Sequence, residues 1–254
     1  MQNIYLCDDS AEGIFSAVYR AYEEKKGHRN NAIQINKEGF NRQLFCEYIP
    51  VETNFEHAIK VARTVQRDIS TQAYELIHKV SLSYREEKAD AIYRFIIEGL
   101  QIGARALQHL TAPHMQVLCD IEKHMNNEIC HFKEFLRFEE LENGTLFGRI
   151  NPKSAILPYM ADHFENRFSG EKWLIADTVH HTVLIHDAGK ATVYATLEEA
   201  NLEELQLVYS EDEETMQKLW KLFVETIAIR ERINPKLQRQ LLPLRFRKYM
   251  KEFS

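Results

Sequence analysis

Apolar positions alternate between two periods along the chain, and the changes of period mark its elements. Ile4-Tyr5-Leu6-Cys7 is a short continuous apolar run of the kind a buried strand carries. Asp9-Ser10-Ala11-Glu12 then reads as a capping box opening a helix to about Glu24, with Ile14, Val18 and Tyr22 on one face. Ile33-Gln34-Ile35 and Phe45 to Ile49 read as extended chain before Pro50. Asn54 caps a helix carrying Phe55, Ile59, Ala62, Val65 and Ile69. Helical spacing returns at Leu76, Val80 and Tyr84, at Ile92, Phe95, Ile96 and Leu100, and at Leu118, Ile121, Met125 and Ile129.

After Asn127 the texture becomes that of a sheet. Phe132 to Phe138 is short and aromatic-rich, Asn143-Gly144 is a hairpin signal, and Leu146 to Ile150 returns as its partner strand. Pro152 and Pro158 bracket a helix entry, and Trp173 to Ala176, Thr178 to His186 and Thr192 to Thr196 read as further antiparallel strands. A last helix carries Met216, Trp220, Phe223 and Ile227. The expected fold is therefore α+β, an antiparallel sheet in the middle of the chain packed with N-terminal and C-terminal helices. It is read as a single domain over 1–254, with a helical-rich subregion 1–130, a sheet subregion 131–197 and an acidic-then-basic helical subregion 198–254.

Composition narrows the classes. Of 254 residues only 9 are Gly and 6 Pro, which favours helix and few turns, while 44% hydrophobic residues supply a core. No uncharged stretch exceeds Ala106–Cys119, and the first residues lack a basic and apolar leader, so the expected location is cytoplasmic with no membrane contact. Cys7, Cys46, Cys119 and Cys130 form no C-x-x-C and read as free thiols, and the spacing of His and Cys fits no zinc signature. No P-loop, dinucleotide fingerprint, nucleophile elbow or H-E-x-x-H occurs, so no cofactor and no metal is expected.

Charge is segregated. The net charge is −6, yet Ile227 to Lys251 holds eight Lys or Arg against the single acid Glu231, after a stretch 198–214 that has eight acids and no base. Such a basic block reads either as phosphate contacts, with Phe246 and Tyr249 available to stack on unpaired bases, or as a solvated face that neutralises the acidic stretch. A second polar constellation is Ala161 to Phe168, where His163 and Arg167 lie four apart on a helix and could grip a phosphate while His163 moves a proton. Asp177 either orients His163 or Arg137 or simply forms a turn.

Several motifs recur in an order that resembles one bacterial family of DNA metabolism proteins of unknown function: Asp8-Asp9-Ser10-Ala11-Glu12-Gly13, His131-Phe132 through Leu136-Arg137-Phe138, Ile150-Asn151-Pro152, Ala161-Asp162-His163 through Phe168, Trp173 to Asp177, and Arg232-Ile233-Asn234-Pro235 through Pro243-Leu244-Arg245-Phe246-Arg247. Members are typically encoded beside a radical-SAM DNA repair or modification protein, and some carry a fused uracil-DNA glycosylase domain, which is not expected in the chain to Ser254. Where the family pattern has basic residues after the Trp-to-Asp strand, this chain has Thr178-Val179-His180-His181, and Asp9 stands where Gly is usual. The resemblance implies a DNA-binding accessory to a radical-SAM partner, with Arg137, Arg167, Arg230, Arg232, Arg245, Arg247 and Lys248 holding the DNA backbone. Two alternatives are a nucleic-acid lyase or hydrolase using His163 with Asp177, and a protein-binding adaptor using the acidic stretch.

Overall fold

In the computed structural model, which describes residues 2–37, 39, 42–196 and 208–253, the chain divides into two compact units, Met1–Met125 and Asn126–Ser254. In the first, β1 (Gln2–Cys7) is the middle of a parallel sheet ordered β2-β1-β3, with β2 at Asn31–Ile35 and β3 at Cys46–Pro50. A central parallel strand is covered on both faces, which explains why Ile4 to Cys7 is apolar throughout and fully buried. Tyr5 is buried to its ring, and its hydroxyl donates to Glu24 at 2.9 Å.

Helix α1 (Ala11–Glu23) starts where the cap places it, with the Ser10 hydroxyl accepting from the Gly13 amide at 2.9 Å. Gly13 is obligatory there, because a Cβ would sit 2.6 Å from the Asp8 carbonyl oxygen. Asn54 caps α2 (Phe55–Asp68) and Ser70 caps α3 (Thr71–Ser81) in the same way. Helix α4 (Lys88–Ile102) buries Ile92, Tyr93, Phe95 and Ile96, and its Gly99 lets Ile69 approach to a distance that no Cβ would allow. The unit boundary falls within α5 (Pro113–Phe135).

The second unit is built on a five-stranded sheet ordered β4-β5-β6-β7-β8, comprising Phe138–Glu140, Leu146–Ile150, Trp173–Asp177, Thr182–His186 and Val193–Thr196. Short 3-10 turns accompany α6 (Ala161–Arg167), α7 (Glu211–Ile227) and α8 (Pro235–Leu241). One face of the sheet packs on Ile150, Ile156, Leu157, Met160, Phe164, Trp173 and Ile175, and on the other Phe147 clusters with Ala176 and Val183. Phe138 meets both Phe164 and Phe168 edge to face, and Trp173 stacks on His186 with ring centres 5.0 Å apart.

Helices and sheet strands both stand as expected, but the all-antiparallel sheet needs correcting. The sheet is mixed, since β5 and β6 pair in parallel from Leu146 with Trp173 to Ile150 with Asp177, and the helical-rich first half holds a separate parallel sheet. The extended reading of Phe132 to Phe138 is also overturned for its first four residues. Ile121, Met125, Glu128 and Phe132 keep a helical repeat, so α5 runs on to Phe135 before β4 begins. Likewise β7 begins at Thr182 rather than Thr178, because Asp177 folds the next residues into a turn ending at His181 with φ 52°. The hairpin at Asn143-Gly144 is present, with Gly144 at φ 75°.

Candidate nucleic-acid interface

Four of the motif segments converge in the second unit. At the end of β6 the Asp177 carboxylate, fully buried, accepts from the amides of Val179 and His180 at 2.9 and 3.1 Å and bonds His180 Nδ1 at 2.7 Å. This hydrogen bond raises the His180 pKa against the opposing effect of burial, helped by the Asp177 and Glu128 charges and a hydrogen bond with the Lys153 backbone. The raised pKa favours the protonated imidazole, with the Asp177 carboxylate and the Lys153 backbone as its two partners.

Glu128, on α5, is the second pivot. Its carboxylate is 4% exposed and accepts from the amides of Lys153 and Ser154 at 2.9 and 3.3 Å, in the loop that follows Ile150-Asn151-Pro152. The Arg245 guanidinium closes the set with a 2.7 Å hydrogen bond to the same carboxylate and lies 4.3 Å from the Phe246 ring centre. Phe246 in turn stacks on His131 at 4.8 Å and meets Phe132 edge on. Nearby, Thr178 hydrogen-bonds the Tyr249 hydroxyl, and the Arg149 guanidinium lies 5.1 Å over that ring. Two buried carboxylates thus tie the ends of β5 and β6 and the Pro243 to Tyr249 segment into one polar knot.

Sequence reasoning singled out Asp177 and Arg245 but missed their partners His180 and Glu128. Glu128 had a signal of its own, as an acid on the stripe Ile121, Met125, Phe132 whose other members are buried. His180 had one as well, lying three residues after an Asp in a turn.

The remaining candidates separate into committed and uncommitted cations. Arg137 is bound to Glu252 at 2.7 Å and lies over the Trp220 ring, and Arg247 donates twice to the Leu242 carbonyl and lies over Phe253. Arg167, Arg232 and Lys248 are exposed and have no carboxylate partner among the described residues, and the same holds for Lys236 and Arg239. The Arg230 side chain lies outside the described residues, as do Glu198, Glu199, Glu203 and Glu204.

His163 and Arg167 share a face of α6 as expected, and the guanidinium, together with Lys133 and above all burial, lowers the His163 pKa. The His163 Nε2 is buried without a hydrogen-bond partner. No hydrogen bond joins it to Asp177, whose oxygens serve His180 and the turn. Among the described residues no group of three His, Cys, Asp or Glu is placed to hold a metal ion, and all four cysteines are free. No helix there is long and apolar enough to cross a membrane.

Residues 86–252, about two thirds of the chain, match DUF4130, a domain of unknown function. No curated protein matches the chain. A solved structure described as the DHH domain of a member of a family of ribosomal proteins is 8% identical over 74% of each chain, with a TM-score of 0.39. At that score the likeness carries no argument.

Proposed function

The chain belongs to the DUF4130 family, and we propose that it acts as a DNA-binding accessory protein whose contact surface is the basic segment after α7. The observation that supports this reading is the run Lys236, Arg239 and Lys248, three exposed cations within 13 residues that no carboxylate neutralises among the described residues. Internal ion pairing is the ordinary fate of such charges in a net acidic protein, as Arg137 and Arg245 show. Cations left unpaired beside one another are suited to neutralise successive phosphates and release their counterions. Arg245 and Arg247 then brace this surface from behind instead of touching DNA. The family resemblance supplies the class of the catalytic partner to which such a protein would present DNA, a radical-SAM DNA repair or modification enzyme.

The test is binding to labelled single-stranded, duplex and abasic-site DNA at two salt concentrations, with the same mixtures assayed for strand or base release. Salt-sensitive binding without release is expected. In Lys236→Glu/Arg239→Glu, affinity falls for every DNA sequence, and the slope of log K against log salt shrinks by about 0.9 for every duplex phosphate that is no longer neutralised. Unchanged affinity and slope in that variant overturn the assignment of the surface, and release by this chain alone overturns the accessory role.

A further inference from the structure

Helix α7 is 17 residues long, and none of them is buried. Met216, Leu219, Trp220, Phe223 and Ile227 nevertheless recur at the three- and four-residue spacing of a packing stripe, and they remain 41 to 61% exposed. A helix of this length draws most of its stability from covering such a stripe, and an exposed strip of five large apolar side chains marks an interaction surface.

We propose that this strip is the interface of a homodimer, covered by α7 of a second copy running antiparallel to it. The argument is self-complementarity. About a centre between Leu219 and Trp220, a two-fold axis sets Met216 against Phe223, Leu219 against Trp220, and Asp212 against Ile227, each contact occurring twice. Charge follows the same symmetry. The first turn of α7 is Glu211, Asp212, Glu213 and Glu214, and the chain just beyond Ile227 is basic, with Arg232 free of any carboxylate partner among the described residues. The antiparallel arrangement brings the acidic turn of each copy to the basic flank of the other, whereas a parallel one would bring acid against acid. Glu213 and Glu214 already serve Gln217 and Lys218, so Asp212, four residues before Met216 and on its face, is the acid that meets the partner. Arg232 is thereby assigned to the interface, which leaves Lys236, Arg239 and Lys248 for phosphate.

The experiment is the mass of the full chain in solution by sedimentation equilibrium, without DNA, so that its outcome is independent of the DNA-binding reading. A dimer is expected. Leu219→Glu/Phe223→Glu should weaken it at least about 100-fold, which from the size of a few large side chains at an interface centre is a modest requirement. Because that variant could disturb folding, a charge-swap series serves as the second arm. Asp212→Lys and Arg232→Glu should each weaken the dimer about 5- to 10-fold, and the double variant should recover most of the loss. Trp220 reports the same event, since Trp173 is fully buried and contributes a constant background, so dilution should shift emission to the red. A wild-type chain that is monomeric at about 100 µM, a dimer indifferent to the Leu219 and Phe223 changes, or single charge variants that the double variant does not rescue would each overturn the proposal.

Discussion

Glu128 and Asp177 each hold several hydrogen-bond donors of the second unit from a buried position. Glu128 gives its lone pairs to two amides and one guanidinium from a nearly solvent-free position. Glu128→Ala leaves all three donors short of an acceptor, an expected cost of about 3 kcal/mol, read as a drop in thermal midpoint on the order of 10 °C. His180 ties stability to pH. Its folded pKa lies above the ordinary value of 6.5, so its contribution is complete below about pH 6.5 and disappears as pH rises through the folded value. The melting-temperature gap between the wild type and His180→Gln should therefore be widest below about pH 6.5 and narrow as pH rises through the raised folded value. His163 works in the opposite sense. Burial holds its pKa below the ordinary value, so the folded state resists its protonation and loses stability as pH falls through the depressed value, a loss that His163→Leu should remove.

Local signals wrote the elements, and non-local ones set their partners. The caps at Ser10 and Asn54, the apolar run of β1 and the Asn143-Gly144 turn were legible because each is settled within a few residues of chain. Ser10→Ala is expected to cost about 1 kcal/mol in chemical denaturation, and Gly13→Ala more, since the added methyl group meets the backbone of Asp8. What stayed hidden needed tertiary information. Phe132 and Phe135 look the same in a strand as in the last turns of α5, where Phe132 is buried beside Phe246. That β6 would lie parallel to β5 is written nowhere in either segment, because it depends on where the intervening chain crosses. The candidate site was half legible for the same reason. Asp177 announced itself at a strand end, but its service to His180 rather than His163 is a fact of the turn.

The whole molecule carries a net charge of −6, although the surface proposed to meet DNA is basic. At about 0.1 M salt the Debye length is near 10 Å and DNA senses only the local cations, whereas near 0.01 M it is about 30 Å and the acidic remainder is felt as well. The log–log salt plot for duplex binding should accordingly bend over at low ionic strength, a curvature that fluorescence anisotropy would detect and that a uniformly basic protein would not show. The family match begins at Glu86, inside the first unit, so β1 to β3 and α1 to α3 lie outside the matched residues. The parallel pairing of β5 with β6 also sets a timetable. Each strand has an antiparallel neighbour on its other side, β4 for β5 and β7 for β6, reached through a short turn. Joining the two pieces requires closing the 22 residues from Asn151 to Lys172 into a crossover, at a loop entropy that the hairpins avoid. The seam between β5 and β6 is thus the step at which refolding should be slow, and substitutions along it should lower the folding rate more than they raise the unfolding rate.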